Sequence, residues 1–208
     1  FLFAPDVAIG PEGGYDAVII GSGDREDPLN SENQDALYLL RDYRQAGLLD
    51  SSAPALTPRD LLTLATNADG SSFTTDPDQL SSAEAVRYAN GWQLPLQRGE
   101  KTVSRVLTAN GLSTFATNLP SSGDSCTALG EARIYLFNPF TLEGGADFQR
   151  NWSSVPGGGL LPPPVGFTVV VGDKTVSGVM FGVHAEEATS QPLATRRKLW
   201  WRTNRGIQ

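Results

Sequence analysis

Cysteine and histidine are nearly absent from this 208-residue chain, which has one of each, Cys126 and His184. A single cysteine forms no internal disulfide, and one of each excludes a cysteine–histidine metal cluster. No apolar run approaches the ~18 to 20 residues that a membrane helix requires. Basic charge is short as well: 16 Lys and Arg stand against 23 Asp and Glu, a formal net charge of -7, which argues against nucleic acid as the main partner. What is plentiful is glycine (22) and proline (14), more than a helical bundle tolerates. Apolar residues at 39% and aromatics at 9% exclude a disordered tail. The class that remains is a soluble, loop-rich, mostly β protein, long enough for one domain.

Two local features qualify this reading. Five of the bases, Arg196, Arg197, Lys198, Arg202 and Arg205, crowd the last thirteen residues, a pattern expected of a solvated edge strand. The chain begins Phe1-Leu2-Phe3, without Met or a signal peptide, and reads as a piece of something longer.

Strand patterns recur along the chain. Asp16–Gly21 (DAVIIG) and Ala36–Arg41 (ALYLLR) are apolar runs expected to be buried on both faces. Trp92–Leu96 carries Pro95, which suggests an edge or a bulge. Thr102–Thr108 and Leu112–Thr117 flank Asn110-Gly111, a pair that accepts the positive φ angles of a type I′ turn. Ala132–Asn138 follows, and Phe167–Val171 and Thr175–Phe181 flank a second hairpin turn at Gly172-Asp173-Lys174. Arg197–Thr203 reads as a closing strand.

A helical insertion is expected over residues 57–91. Thr57-Pro58-Arg59-Asp60 supplies an N-cap, a proline at N1 and an acid at N3, followed by Leu61, Leu62 and Leu64. Ser81-Ser82-Ala83-Glu84 is a capping box, and Gly91 ends that second helix. About nine short strands with glycine-rich corners suggest stacked propeller blades, some two to two and a half of them, or alternatively a β-sandwich.

The motifs that suggest chemistry are incomplete. Val18-Ile19-Ile20-Gly21-Ser22-Gly23 starts like a dinucleotide fingerprint, but Glu26 stands where a third glycine is needed. The acids Asp24, Glu26 and Asp27 repel phosphate, and Pro28 stops any helix. Any Ser-His-Asp triad must run through His184, and no Gly-x-Ser-x-Gly elbow exists. Asn67, Asp69, Ser71, Thr75 and Asp78 fall at five of the spacings of a twelve-residue calcium loop, yet the glycine is misplaced and only two carboxylates occupy ligand positions. Trp200 and Trp201, adjacent on one strand, cannot share a face to form a stacking platform with Trp92; one of the pair is expected in the core and the other over an edge or a neighbouring blade. No residue is therefore assigned as catalytic, cofactor-binding or metal-binding.

Gly21-Ser22-Gly23-Asp24-Arg25-Glu26-Asp27-Pro28 resembles the C-terminal part of the PilY family, the type IV pilus biogenesis factors and tip adhesins. Further segments agree in order: Ala4-Pro5-Asp6-Val7, Leu37–Asp42, Asn90-Gly91-Trp92, Gly99-Glu100-Lys101, Ser125–Gly130, Ile134–Asn138, and the tail from Thr195 to Arg202. The resemblance covers roughly residues 3 to 202. It implies that residues 1–208 are the C-terminal part of a quinoprotein-like β-propeller without enzymatic activity, exported through the periplasm and associated with the pilus at the cell surface. The partners it implies are minor pilins and host or abiotic surfaces; open sheet edges would pair with missing blades or another copy. The family's calcium turn, Asp-x-Asp/Asn-x-Asp-Gly, has no counterpart here, so the implied cofactor list for this chain is empty, with calcium left to the full-length protein. The competing readings are a fragment of a pyrroloquinoline quinone dehydrogenase, which shares the propeller, and a scaffold that only docks other pilus subunits. Independently of the family, a buried strand leaving the sheet through a tight turn explains Gly21 and Gly23, and Asp24 and Arg25 are placed to hydrogen-bond that turn as a structural corner.

Overall fold

The computed structural model describes residues 1–43, 55–66, 73, 75, 77–121, 130–144, 151–155 and 158–187. Among them the chain is mostly β, arranged in three sheets, none closed into a barrel. The first sheet has the order β1 (Asp6–Ile9), β2 (Asp16–Gly21), β3 (Ala36–Asp42), β5 (Gly91–Pro95), β4 (Leu62–Thr63). The second runs β10 (Trp152–Val155), β9 (Glu131–Phe137), β8 (Leu112–Leu119), β6 (Lys101–Thr102), with β7 (Leu107–Ala109) also on β8. The third is β11 (Val165–Val171), β12 (Lys174–Phe181) and β13 (His184–Glu187). All neighbours are antiparallel except β4 and β5.

Side-chain alternation decides how these sheets stack. Ile19, Leu39, Trp92 and Leu62 lie in one cross-strand row of the first sheet, and all four are buried. They meet Phe115, Tyr135 and Phe137 from the second sheet in one apolar cluster. The opposite face of the second sheet presents Ala116, Ala132 and Ile134 to Val179 and Phe181 of β12. The second sheet is thus covered on both sides, and β8 and β9 read as nearly unbroken buried runs, as strands between two layers must.

The expected hairpin at Asn110-Gly111 is present, with φ of 54° and 79°. Its first arm is divided, however. Residues 103–106 separate β6 from β7, and the Ser104 hydroxyl accepts the Ala116 amide there. The second hairpin turns on Gly172-Asp173 alone, since Val171 pairs with Lys174. Pro95 stands at the end of β5, past the two positions that pair with β4, so its missing amide interrupts no ladder.

Helix α1 (Ser82–Asn90) forms as expected, with the reciprocal Ser81–Glu84 box at its start and Gly91 at its end. The helix expected after Thr57 does not form. Its capping box is intact, but it closes a single 3-10 turn, Pro58–Asp60. The chain then extends, burying Leu61, Leu62 and Leu64 and leaving Thr63 outside. Leu62 and Leu64 share one face of an extended strand, and pairing with β5 outweighs the local cap. The runs Asp16–Gly21 and Ala36–Arg41 are also not buried on both faces: Val18, Ile20, Tyr38 and Leu40 are half-buried on an outer face. The sequence reading missed β1, β4, β10 and β13. Cys126, Trp200, Trp201, the expected strand Arg197–Thr203, and Asn67, Asp69 and Ser71 lie outside the described residues. No described helix is long and apolar enough to cross a membrane.

Candidate functional site

Two polar assemblies lie where the first sheet meets the second, and both grow from the short stretch Gln97–Thr102. The first is the corner after β2. Ser22 accepts the Ala36 amide at 2.9 Å and donates to Asp35 at 2.8 Å. Its carbonyl takes the Thr102 hydroxyl at 2.7 Å and the Thr102 amide at 3.2 Å. A Cβ at Gly21 would stand 2.5 Å from the Thr102 methyl, and one at Gly23 only 2.4 Å from the Thr102 carbonyl oxygen. Glycine is therefore required by close approach of the two sheets.

The loop that follows is pinned from the same side. Asp24 accepts the Glu26 amide at 2.8 Å, and Arg25 donates to the Val103 carbonyl at 2.9 Å. Lys101, fully buried, donates through Nζ to the carbonyls of Asp27 (2.9 Å) and Asn30 (2.6 Å). Asp24 bonds an amide of its own turn as expected, Arg25 reaches instead to Val103 beyond it, and Lys101 is an anchor that sequence reasoning did not single out. No helix follows Gly23, so the dinucleotide fingerprint is absent in three dimensions too.

The second assembly centres on Glu100, which is 1% exposed. Its Oε1 accepts the hydroxyls of Thr117 (2.6 Å) and Tyr135 (3.0 Å). Its Oε2 accepts Arg133 Nη1 (2.9 Å) and the Gln97 amide (3.2 Å). Arg133 also forks onto Glu131, with contacts at 3.1 and 3.0 Å, donates to Gln97 Oε1, and stacks 4.2 Å from the Trp152 ring centre. A pocket of about 270 Å³ opens beside this cluster, lined by Thr66, Gln97, Glu100, Arg133, Tyr135 and Trp152 among others. Glu100 meets four donors, the arrangement that makes a buried charge affordable. Such a carboxylate is committed to holding β8, β9 and the Gln97–Thr102 turn in register.

Ionisation follows from these contacts. Burial pushes the Tyr135 phenol well above its ordinary value of 10.0, and the Glu100 charge beside it acts the same way. The Arg133 hydrogen bonds hold Glu131 below its ordinary 4.5. A phenol whose folded pKa is raised keeps its proton when the unfolded chain has lost it, so its contribution is present below pH 10 and lost above. A carboxylate whose folded pKa is lowered contributes above pH 4.5 and loses that contribution as pH falls. Urea midpoints measured against pH should therefore decline on both sides of a plateau. Tyr135→Phe should flatten part of the alkaline decline; an unchanged alkaline slope in that variant would contradict the assignment.

The remaining candidates are scattered. His184 sits half-buried at the start of β13, paired with Phe181 across a two-residue turn. Trp92 is core, donating from its indole nitrogen to the Pro139 carbonyl at 3.0 Å. Of the calcium-like spacing only Thr75 and Asp78 are described. Among the described residues no group of three or more His, Cys, Asp or Glu is placed to hold a metal ion.

No protein-family profile and no curated protein sequence matches the chain. Among solved structures it is similar to the Pseudomonas aeruginosa PilY1 C-terminal domain, with a TM-score of 0.63 and 16% sequence identity over 91% of this chain. The chain spans 45% of the length of that domain. The stacked sheets described above therefore have the fold of part of the PilY1 C-terminal domain, and the resemblance read from the residues is borne out at the level of fold.

Proposed function

We propose that this chain is an extracellular, non-enzymatic module of a type IV pilus-associated protein, part of a propeller whose sheets are consecutive blades. It supports pilus assembly, opposes retraction and contributes to surface adhesion through contacts with minor pilins or with the surface itself. The observation that carries this reading is the fold likeness over 91% of the chain, together with ordered sequence segments that resemble the same family. The absence of an assigned nucleophile or base in the sequence supports the non-enzymatic part, and Glu100, the most buried carboxylate among the described residues, is engaged by four donors.

The test is binding of the purified chain to the minor pilins encoded in its own genome, read by interferometry beside binding to coated surfaces. Saturable binding to either supports the proposal. Failure of both, or quinone-like absorbance in the purified protein, overturns it. The corner residues serve as a control for a structural role: Asp24→Ala should lower stability by about 1 kcal/mol through its lost turn hydrogen bond and leave pilin binding intact. A variant with unchanged melting temperature and lost binding would make Asp24 part of a recognition surface instead.

A further inference from the structure

The pocket beside Glu100 has no task in the reading given so far, and the groups on its wall narrow what it can hold. Its volume is about 270 Å³, just below the range of drug-sized sites. That is room for one small ring and not for a chain segment. Pro95 and Leu96 form one side as the chain leaves β5. Tyr135 and Trp152, paired across β9 and β10, form another, their rings 6.4 Å apart between centres.

Charge removes two classes of ligand. Glu100 and Glu131 both pair with the single guanidinium of Arg133. The group is net negative, so a carboxylate or a phosphate is repelled. An organic cation would seek the face of a tryptophan, but Arg133 already lies over Trp152 at 4.2 Å. A neutral ligand remains.

The unspent hydrogen-bonding groups on the wall are neutral too. Arg133 can only donate, so the Gln97 atom that meets its Nη2 at 3.2 Å is the carbonyl oxygen. This fixes the amide plane and leaves Nε2, which donates to no described residue, facing away from Arg133. The Gln97 backbone is held as firmly. Its amide donates to Glu100 Oε2 at 3.2 Å, and its carbonyl accepts the Glu100 amide at 2.8 Å. The Thr66 hydroxyl and the Trp152 indole nitrogen, on the same wall, also have no partner among the described residues. The pocket therefore combines aromatic and proline surface with fixed neutral donors, a wall suited to small polar ligands. A pyranose presents the complement: hydroxyls that accept and donate, and a C–H face that packs on an aromatic ring. We propose that this pocket binds one ring of a neutral sugar, with the Gln97 amide donating to a sugar oxygen beside Tyr135 and Trp152. The site stands on its own chemistry and does not depend on the pilus reading.

The test uses the 208-residue chain and the indole N–H signals of its four tryptophans, followed by NMR while glucose, galactose, mannose or N-acetylglucosamine is added. The Trp152 signal, assigned through Trp152→Phe, should shift and saturate with at least one of them, at a dissociation constant of about 1 to 10 mM. The signal of Trp92, enclosed in the core, should stay in place. Gln97→Glu separates binding from structure. It keeps an acceptor opposite Arg133 and removes both amide donors, so the melting temperature should hold while affinity falls about tenfold or more. No saturation by any of the four sugars up to about 100 mM overturns the proposal. So does an equal shift with glycerol, a saturable shift with acetate or phosphate, or parental affinity in Gln97→Glu.

Discussion

Replacing Glu100 with alanine should cost about 3 to 5 kcal/mol, the range expected when one member of a buried charged network is removed. The loss does not come from the carboxylate itself. It comes from what is left behind: the hydroxyls of Thr117 and Tyr135, the Gln97 amide and one arm of Arg133 lose their acceptor together. Arg133 keeps its fork onto Glu131, which places the cost within that range and not above it. For a chain of this size the melting temperature should fall by roughly 10 °C. Glu100→Gln separates the causes. Its amide nitrogen can take the Oε1 position, because the Thr117 and Tyr135 hydroxyls accept as well as donate. Its oxygen can remain opposite Arg133 and the Gln97 amide. Glutamine should therefore cost clearly less than alanine in urea denaturation. Equal losses would mean that charge, and not hydrogen-bond satisfaction, dominates at this site; a loss below about 1 kcal/mol for alanine would mean that the cluster is not stabilising the sheets.

Why was that cluster invisible in the sequence when so much of the sheet pattern was not? The Asn110-Gly111 turn and the Ser81–Glu84 cap are settled within four residues, so their chemistry is readable locally. Thr57–Asp60 was equally local and its capping box did form, but Leu61, Leu62 and Leu64 gain more by joining β5 than by continuing a helix. Only the partner, some 30 residues away, decides that. Glu100 and Arg133 are 33 residues apart, and each reads as a surface charge because ionised side chains are seldom buried. Gly99-Glu100-Lys101 attracted notice only as one segment of a family resemblance. The short strands β10 and β13 (WSSV and HAEE) carry no apolar alternation of their own. They are strands because neighbours offer them a ladder. The same limit applies to the corner after β2: its glycines announced a tight turn, but the Lys101 ammonium that anchors it comes from another sheet.

Gly91 joins two of these levels, and its substitution should be as costly as that of Glu100. It ends α1 and opens β5 with φ of 129°, a region where a side chain costs about 1 to 3 kcal/mol. A Cβ placed there would also lie 1.9 Å from the Leu39 carbonyl oxygen and 3.1 Å from the Leu40 Cα. Those atoms belong to β3, the strand that pairs with β5, so no flexible side chain can move aside. Relief requires β3 and β5 to separate or α1 to swing away, and overpacking of that kind adds about 1 to 3 kcal/mol more. Gly91→Ala should therefore destabilise by about 2 to 6 kcal/mol in total. Gly111 supplies the comparison: its φ is 79°, but nothing lies within 4 Å of an added Cβ. Gly111→Ala should show the backbone term alone, at about 1 kcal/mol. Urea midpoints of the two variants side by side then measure the close approach of β3 by difference. If they proved equal, the contact with Leu39 would carry no energy, and Gly91 would be only a helix stop.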